Sequence, residues 1–460
     1  MSISISFSRL AGIIACCALL FACDSGGNGG GSSNRGANPP PPPPPDSGTW
    51  GTASLVENQG NDASQPKVAV DANGNAIAVW KQMEGGRYNL WANRYEAGTG
   101  WGIPQLLENL DYGNVDQADI AIDANGNALV AWWELGAAGK ASIMAAYYTA
   151  GTGWGPAELL ELNDSGDATT PKVAFDADGN ALVVWFQYDG SHYYVWSNRY
   201  TPGTGWAGAE FIQTYTAQSG YYPELAMTAG GNAVAFWQQI DPGLTSTMWA
   251  NRYTEGVGWS TAEQVSLSGG FAYSHDVATD AAGNAIAIWG VMESGLYSVW
   301  ASHYDTVAGW STPALVETQD TSSAYYPRIV MDSTGNAMAV WLQSNGTYYS
   351  LWARRYDASA GWGAPQLIET EEAGNAHPAQ LAMDASGNVL AVWQQYDGSQ
   401  YHIWSNRYVV GRGWGTAELL ETGAGSASAP QVAVDSNGDG VAVWQQLDGS
   451  TNNIWSRRFE

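Results

Sequence analysis

The stretch PKVAVDANGNAIAVW, residues 66–80, decides the fold of this 460-residue chain. Its two flanks have the alternation of short β-strands, and Asp71-Ala72-Asn73-Gly74 lies between them. Asp at the first position of a tight turn accepts a downstream N–H, and Gly at the fourth position adopts the positive φ that closes a bulged hairpin. The stretch therefore predicts a β-hairpin that ends at Trp80.

The same hairpin returns seven more times along the chain. Its final tryptophan recurs every 51 to 53 residues, at Trp80, Trp132, Trp185, Trp237, Trp289, Trp341, Trp393 and Trp444. A fixed period of this size with several short strands per copy is typical of a propeller or an array. The first copy predicts strands at 66–70, 75–80, 90–95 and 101–108. The predicted fold is all-β, an eight-bladed β-propeller of four-stranded antiparallel blades, with a linear β-array as the alternative.

Two further tryptophan positions recur with the hairpin. One is Trp91 and its equivalents in six other copies, and the other is Trp50 and Trp101 and their equivalents. The three sets together contain all but one of the 24 tryptophans. A tryptophan that is present in nearly every copy is expected to pack between neighbouring sheets and not to form a sugar platform.

The repeat is out of phase with the ends of the domain. Residues 50–57 are a copy of strand four, whereas residues 451–459 are a copy of strand three. If strand one, which is rich in small residues, is innermost, the last blade combines its inner strands from 430–459 with an outer strand from 50–57. This offset closure resembles that of WD40-type propellers and would join the two ends of the ring by hydrogen bonds.

Residues 1–23 resemble the signal peptide of a bacterial lipoprotein. Arg9 precedes an apolar run at 10–19, and Leu20-Phe21-Ala22-Cys23 matches the lipobox. The resemblance implies lipidation of Cys23 and a place in the bacterial cell envelope, with an ordinary secretory signal or a short membrane anchor as the alternative. Residues 24–48 are Gly/Ser-rich and then polyproline, which predicts a flexible tether and a stiff spacer before the propeller domain at 49–460. The other two cysteines lie in the signal, so no disulfide is expected in the domain.

The chain is strongly acidic, with a net charge of −27. Such a chain repels nucleic acids and anionic membrane surfaces, so we expect membrane attachment through the lipid alone and no nucleic-acid partner. Neither GxSxG nor HExxH is present, and His275 and His303 should lie on opposite faces of the ring. We therefore predict no catalytic residue, no metal and no cofactor, and a monomer that binds carbohydrate or protein.

The two faces of the predicted ring differ in sequence. Turns one-to-two and three-to-four share what we call the closure face, and their sequences are nearly uniform, as in DANGN and GTGW. Turns two-to-three and four-to-one share what we call the divergent face, with loops such as QTYTAQSGYYP at 213–223 and TQDTSSAYYP at 318–327. Variable loops on a rigid scaffold usually carry binding, so we place the ligand on the divergent face.

Two sets of residues on this face are candidates. The first set is polar, lies thirteen residues before each hairpin tryptophan and is predicted to line the mouth of the central channel: Lys67, Asp119, Lys172, Glu224, Asp276, Arg328, Gln380 and Gln431. An ion-pair ring and a ligand site are both possible interpretations of this set. The proposed ligand-binding residues come from blades four to six: Tyr221, Tyr222, Glu224, His275, Asp276, Tyr325, Tyr326 and Arg328. Tyrosines beside carboxylates suit sugar stacking or a protein interface.

The repeated pattern DxxGNxxxxW resembles the Asp-box turns of sialidase-like propellers, and the recurring Trp, Arg and Glu resemble fucose-binding propeller lectins. The first resemblance implies a glycoside hydrolase or lyase, and the second implies carbohydrate binding. Sialidases bind a substrate carboxylate with clustered arginines, whereas arginine recurs here in strand three of six copies, which favours a structural role: Arg94, Arg199, Arg252, Arg355, Arg407 and Arg458. The main hypothesis is a lipid-anchored binding protein without chemistry of its own. A glycoside hydrolase or lyase and a scaffold of an envelope assembly are the alternatives.

Overall fold

The computed structural model describes residues 48–460 apart from 59, 109–112, 137–138, 162–165, 215–217, 241–242, 244, 268–269, 294, 319–321, 370–373 and 422. Cys23, the lipobox and the polyproline segment lie outside the described residues. All regular structure in the described part of the chain is β-strand, and none of its residues form a helix that is long and apolar enough to cross a membrane.

The described strands form eight antiparallel blades, which confirms the predicted propeller. Blade one carries Trp80, and blade eight carries Trp444. The innermost strands, strand one of each blade, are Ala63–Val70, Val115–Ile122, Ala168–Phe175, Ser219–Met227, Phe271–Thr279, Ala324–Met331, Gln380–Met383 and Ala427–Val434. Strand two of each blade spans Ala76–Glu84, Ala128–Leu135, Ala181–Tyr188, Ala233–Ile240, Ala285–Glu293, Ala337–Ser344, Val389–Tyr396 and Gly440–Asp448. Blades four and five are joined into one sheet by a parallel bridge between Ser246 and Phe271.

The outer half of each blade is a long strand three followed by a broken strand four. Strand three spans Arg87–Glu96, Ala141–Thr149, Tyr193–Thr201, Ser246–Thr254, Leu296–Asp305, Tyr349–Asp357, Tyr401–Val409 and Thr451–Phe459. The expectation of a continuous strand at 101–108 is wrong, because Gly100–Trp101 and Gln105–Leu106 pair separately with strand three. Pro104 has no N–H to give to the ladder between them.

The broken strand four recurs around the ring. Its remaining pieces are Gly153–Trp154 with Glu158–Leu159, Gly205–Trp206 with Glu210–Phe211, Gly258–Trp259 with Glu263–Gln264, Gly309–Trp310 with Ala314–Leu315, Gly361–Trp362 with Gln366–Leu367, Gly413–Trp414 with Glu418–Leu419, and Ser54–Leu55 in blade eight.

The hairpin turn has the predicted chemistry. Asp71 Oδ1 accepts the backbone N–H groups of Asn73 at 2.8 Å and Asn75 at 2.9 Å, and Asp71 Oδ2 accepts the side-chain amide of Asn75 at 2.8 Å. Gly74 has a φ of 74°, where a residue with a Cβ would be strained. The aspartate therefore organises the turn from within.

The hairpin tryptophans form the packing core between the blades. All eight are fully buried, which confirms their structural role. In most copies the tryptophan donates its indole N–H to the side chain two residues later. Trp80, for example, donates to Gln82 Oε1 at 3.0 Å. Gln82 in turn donates to Glu57 Oε2 at 3.3 Å in the preceding blade. A buried polar chain thus links adjacent blades at the tryptophan, and leaving any member unpaired would cost stability.

The ring closes with the predicted offset. Strand Ser54–Leu55 pairs antiparallel with Thr451–Phe459, so blade eight contains strands from both ends of the described chain. Trp50 bridges to Phe459, and their ring centroids are 5.3 Å apart. The two ends are therefore held together by backbone hydrogen bonds and one buried aromatic pair.

Candidate ligand-binding face

The channel-mouth residues meet at the start of the innermost strands. Lys172 Nζ lies 2.6 Å from Glu224 Oε2, and Arg328 Nη1 lies 3.8 Å from Glu224 Oε1, so one carboxylate of blade four serves cations of blades three and six. Lys67 Nζ donates to Gln431 Oε1 at 3.4 Å between blades one and eight. The cations of the mouth are partnered within the protein.

The two aspartates of the mouth bond backbone instead of cations. Asp119 Oδ2 accepts the N–H of Val173 at 3.0 Å, and Asp276 Oδ2 accepts the N–H of Ile329 at 3.0 Å. Each aspartate thereby ties its blade to the next one. A cavity of about 290 Å³ opens at the mouth, lined by Lys67, Asp119, Lys172 and Gln431 among others. Beside this opening, the ion pairs of the mouth are those that Glu224 forms with Lys172 and Arg328, and they do not extend around it as a ring.

Burial and neighbouring charge act against each other at the mouth. Burial lowers the pKa of Lys67, with Asp119 opposing the shift. For Glu224, burial favours the neutral acid, but Lys172 and Arg328 outweigh it and lower the pKa. Burial raises the pKa of Asp276 to about 6, against the effect of Arg328. The strongest ion pairing therefore centres on Glu224.

A strained backbone position lies beside the channel mouth in seven of the eight blades. Its residues have φ between 35° and 55°, a left-handed conformation unusual for residues other than glycine: Gln65, Gln117, Thr170, Tyr222, Ser274, Tyr326 and Ala429. Each sits at a register shift between strands one and two, which marks a β-bulge. In blade seven the equivalent residue is Pro378, whose ring excludes a positive φ.

The two tyrosines of this bulge position are the most exposed candidates. Tyr222 is 53% exposed and Tyr326 is 49% exposed. Their neighbours Tyr221 and Tyr325 are half-buried and pack against other rings. The bulge therefore presents one tyrosine of each pair to solvent and uses the other as support.

Two aromatic clusters support these tyrosines. In the first, between blades three and four, the Phe186 ring lies 5.3 Å from that of Tyr222 and 5.6 Å from that of Tyr221. In the second, between blades five and six, the Tyr325 ring lies 4.8 Å from that of Tyr297 and 6.2 Å from that of Tyr326. The structure thus groups the tyrosines by blade pair, and Tyr222 and Tyr326 belong to separate clusters.

His275 connects the first cluster to blade five. It is buried, and its Nε2 bonds the carbonyl oxygen of Tyr222 at 2.7 Å. Burial lowers its pKa to about 4, against the effect of Glu224, so the imidazole is neutral near pH 7 and donates this hydrogen bond. His275 thereby holds the strained residue Tyr222 from behind and does not itself face the ligand side.

Blade seven contributes a histidine site that the sequence did not single out as one unit. His402 Nδ1 contacts Glu421 Oε1, and His402 Nε2 lies 3.0 Å from Asp397 Oδ2. Glu421 is buried and its other oxygen accepts the N–H of Ile403 at 2.9 Å. Burial alone lowers the pKa of His402, but the hydrogen bonds to Glu421 and Asp397 outweigh it and raise the pKa.

This arrangement predicts a pH-dependent contribution to stability. Because the pKa of His402 is raised on folding, its contribution is complete below the ordinary histidine pKa of about 6.5 and is lost as the pH rises through the raised value. Chemical denaturation of the wild type and of His402→Asn across this range measures it. The difference in unfolding free energy between the two should shrink as the pH rises, and a constant difference would contradict the prediction.

The sequence analysis also did not predict the hydrogen-bonded chain of tryptophan, glutamine and glutamate, although its residues recur with the period of the repeat. Gln recurs two residues after the hairpin tryptophan, and Glu ends strand four of most copies. Blade five departs from this pattern, because Val291 replaces the glutamine and the buried Trp289 N–H has no hydrogen-bond partner.

Within the described ranges, no three His, Cys, Asp or Glu side chains are grouped closely enough to hold a metal ion.

Comparison with known proteins supports the fold. No protein-family model matches the chain, and no curated protein matches it in sequence. The structure is similar to an ulvan lyase from a new family of polysaccharide lyases, with a TM-score of 0.51, 10% identity, and 74% of this chain and 90% of that one covered. It is similar to the polysaccharide lyase Uly1, with a TM-score of 0.50, 10% identity and coverages of 86% and 89%. A match to a leech intramolecular trans-sialidase covers 90% of this chain and 94% of that one, with 9% identity and a TM-score of 0.43.

Proposed function

We propose that the divergent face binds carbohydrate, with Tyr222 and Tyr326 as stacking platforms beside the channel mouth. The observation that carries the proposal is the exposure of both rings at the strained bulge position. The bulge itself belongs to the repeat, since residues such as Gln65 and Ala429 adopt the same φ in other blades, and only in blades four and six does it present an aromatic ring to solvent. An aromatic ring that is held rigidly loses little entropy when it stacks on a sugar.

The charges of the mouth favour a neutral or weakly charged glycan. Lys172 and Arg328 are both within ion-pair distance of Glu224, so these cations are compensated before a ligand arrives. The net charge of −27 adds a repulsion against polyanions at long range. Stacking and hydrogen bonds, more than ion pairs, would then provide the affinity.

We propose binding without catalysis. His275 is buried and its Nε2 already bonds the Tyr222 carbonyl, so it is poorly placed to take a proton from a ligand. The folds similar to this one include polysaccharide lyases, which supports a carbohydrate ligand and makes a lyase the alternative to test.

A glycan array tests the proposal, followed by calorimetric titration of the purified protein with any oligosaccharide that binds. We expect binding to neutral oligosaccharides and no change in their length on prolonged incubation. Cleaved products, or ultraviolet absorbance from newly formed unsaturated sugars, would establish the enzyme alternative. A protein that binds no glycan on the array would overturn the proposal and favour a protein ligand.

We further propose that the protein is anchored in the bacterial cell envelope through lipid on Cys23. The support is the lipobox Leu20-Phe21-Ala22-Cys23. Cys23→Ser is expected to move most of the protein from the detergent phase to the aqueous phase on detergent partitioning, because a diacyl anchor is the attachment that the sequence predicts. A variant that still partitions with detergent would show another anchor.

A further inference from the structure

One copy of the hairpin turn lacks its aspartate. The first turn residue is Asp in seven copies and Thr228 in blade four. Thr228 Oγ1 accepts the N–H of Asn232 at 3.2 Å and thus replaces one carboxylate oxygen of the other copies. Nothing in a threonine side chain replaces the second oxygen, which in blade one accepts the side-chain amide of Asn75.

The missing oxygen matters because the aspartate normally fills a space between two blades. In blade one, Asp71 Oδ2 lies 4.0 Å from Arg94 Nη2. The same oxygen lies close to the turn of the next blade, because a Cβ added to Gly126 would be 2.9 Å from Asp71 Oδ2. In blade four, a Cβ on the equivalent Gly283 would meet only Thr306 Cγ2, at 3.5 Å. Gly283 is half-buried, whereas its seven equivalents are buried.

A cavity of about 200 Å³ occupies this place on the closure face between blades four and five. Its polar lining includes Arg252, Asn232, Thr228, Thr254, Thr279 and Thr306. The Asn232 side chain is exposed here, while the equivalent asparagines are half-buried. Its Oδ1 still accepts the N–H of Glu255 at 3.1 Å, so its amide N–H group is oriented as in the other copies, where it meets a carboxylate.

The guanidinium of this cavity lacks the turn aspartate that pairs with the equivalent arginine in blades one and three. Arg252 Cζ lies 4.6 Å above the Tyr304 ring, and Arg252 Nη2 lies 3.7 Å from Glu263 Oε1. The Glu263 side chain is half exposed, so this pair is solvated and weak. By contrast, Arg199 reaches the buried Asp176 at 3.7 Å.

We infer that this cavity binds the carboxylate of a small acid, with Arg252 and the Asn232 amide as donors. The ligand carboxylate takes the place of the aspartate oxygens that the other copies contribute, and guanidinium–carboxylate pairs are among the strong charge-assisted hydrogen bonds. Acetate corresponds to the missing aspartate side chain, and the volume leaves room for a larger acid. The site lies on the closure face and does not depend on glycan binding at the opposite face.

Sodium acetate tests the inference, compared with sodium chloride at equal ionic strength. We expect acetate to raise the melting temperature of the purified wild-type protein progressively, as a ligand of the native state does. Thr228→Asp restores the turn of the other copies, so it should melt higher than wild type in chloride and lose affinity for acetate by about tenfold or more in a calorimetric titration. Arg252→Gln should lose the acetate response without that gain.

Arg94→Gln is the matched control, because it removes a cation that already has its aspartate. We expect its acetate response to equal that of the wild type. An acetate response that survives in Thr228→Asp, or that is lost equally in Arg94→Gln and Arg252→Gln, would overturn the assignment. A wild-type protein that does not respond to acetate would do the same.

Discussion

Deletion of residues 50–57 is expected to destabilise the propeller by more than about 5 kcal/mol, whereas deletion of residues 24–47 should change its stability little. The first deletion removes Trp50, which is buried against Phe459 and donates its indole N–H to Ser405 Oγ at 3.0 Å. It also exposes the edge of the last strand, including the carbonyl of Ile454 that accepts the N–H of Val56 at 2.9 Å. Truncating one buried tryptophan costs about 3–5 kcal/mol by itself.

Thermal and denaturant melts of the two deletions measure this difference. Point variants within the same strand provide the control: Trp50→Ala should account for much of the loss, whereas Leu55→Ala should have little effect because Leu55 is 44% exposed. Equal melting temperatures for the two deletions would mean that the offset closure contributes little to stability.

Replacement of Tyr222 and Tyr326 by alanine is expected to weaken glycan binding by about 1–2 kcal/mol for each ring, or about 5- to 30-fold. The loss follows from the removed stacking surface, since both residues are about half exposed. The fold should persist, because Ala429 occupies the same bulge position in blade eight with a φ of 52°. Titration of the single and double variants with an oligosaccharide from the array gives the affinities.

Ser274→Ala is the control for this pair, since Ser274 lies at the same bulge position in blade five without a ring. Its affinity should equal that of the wild type. Unchanged affinity in the double tyrosine variant would place the glycan elsewhere. A fall in melting temperature like that of Trp80→Ala would show that the two rings belong to the core.

The candidate site was predicted only in part from the sequence. The repeat placed the polar residues at one point of strand one, and the divergent loops pointed to Tyr222 and Tyr326. The division of each tyrosine pair into an exposed ring and a supporting ring depends on the bulge, whose left-handed φ is not encoded by one residue type, since Gln65 and Ala429 adopt it as well. The bond from His275 to the Tyr222 carbonyl likewise joins residues of different blades.

By itself, the sequence determined the eight blades, the buried tryptophans and the offset closure. These features follow from a local pattern repeated at a constant period, and each copy obeys the same short-range rules of turn and strand. Tertiary structure alone decided which charges meet. Glu224 pairs with Lys172 of blade three and Arg328 of blade six, and the substitution at Thr228 opens a cavity only because Gly283 of the next blade faces it. Such contacts depend on distances across the ring, and spacing along the chain does not specify them.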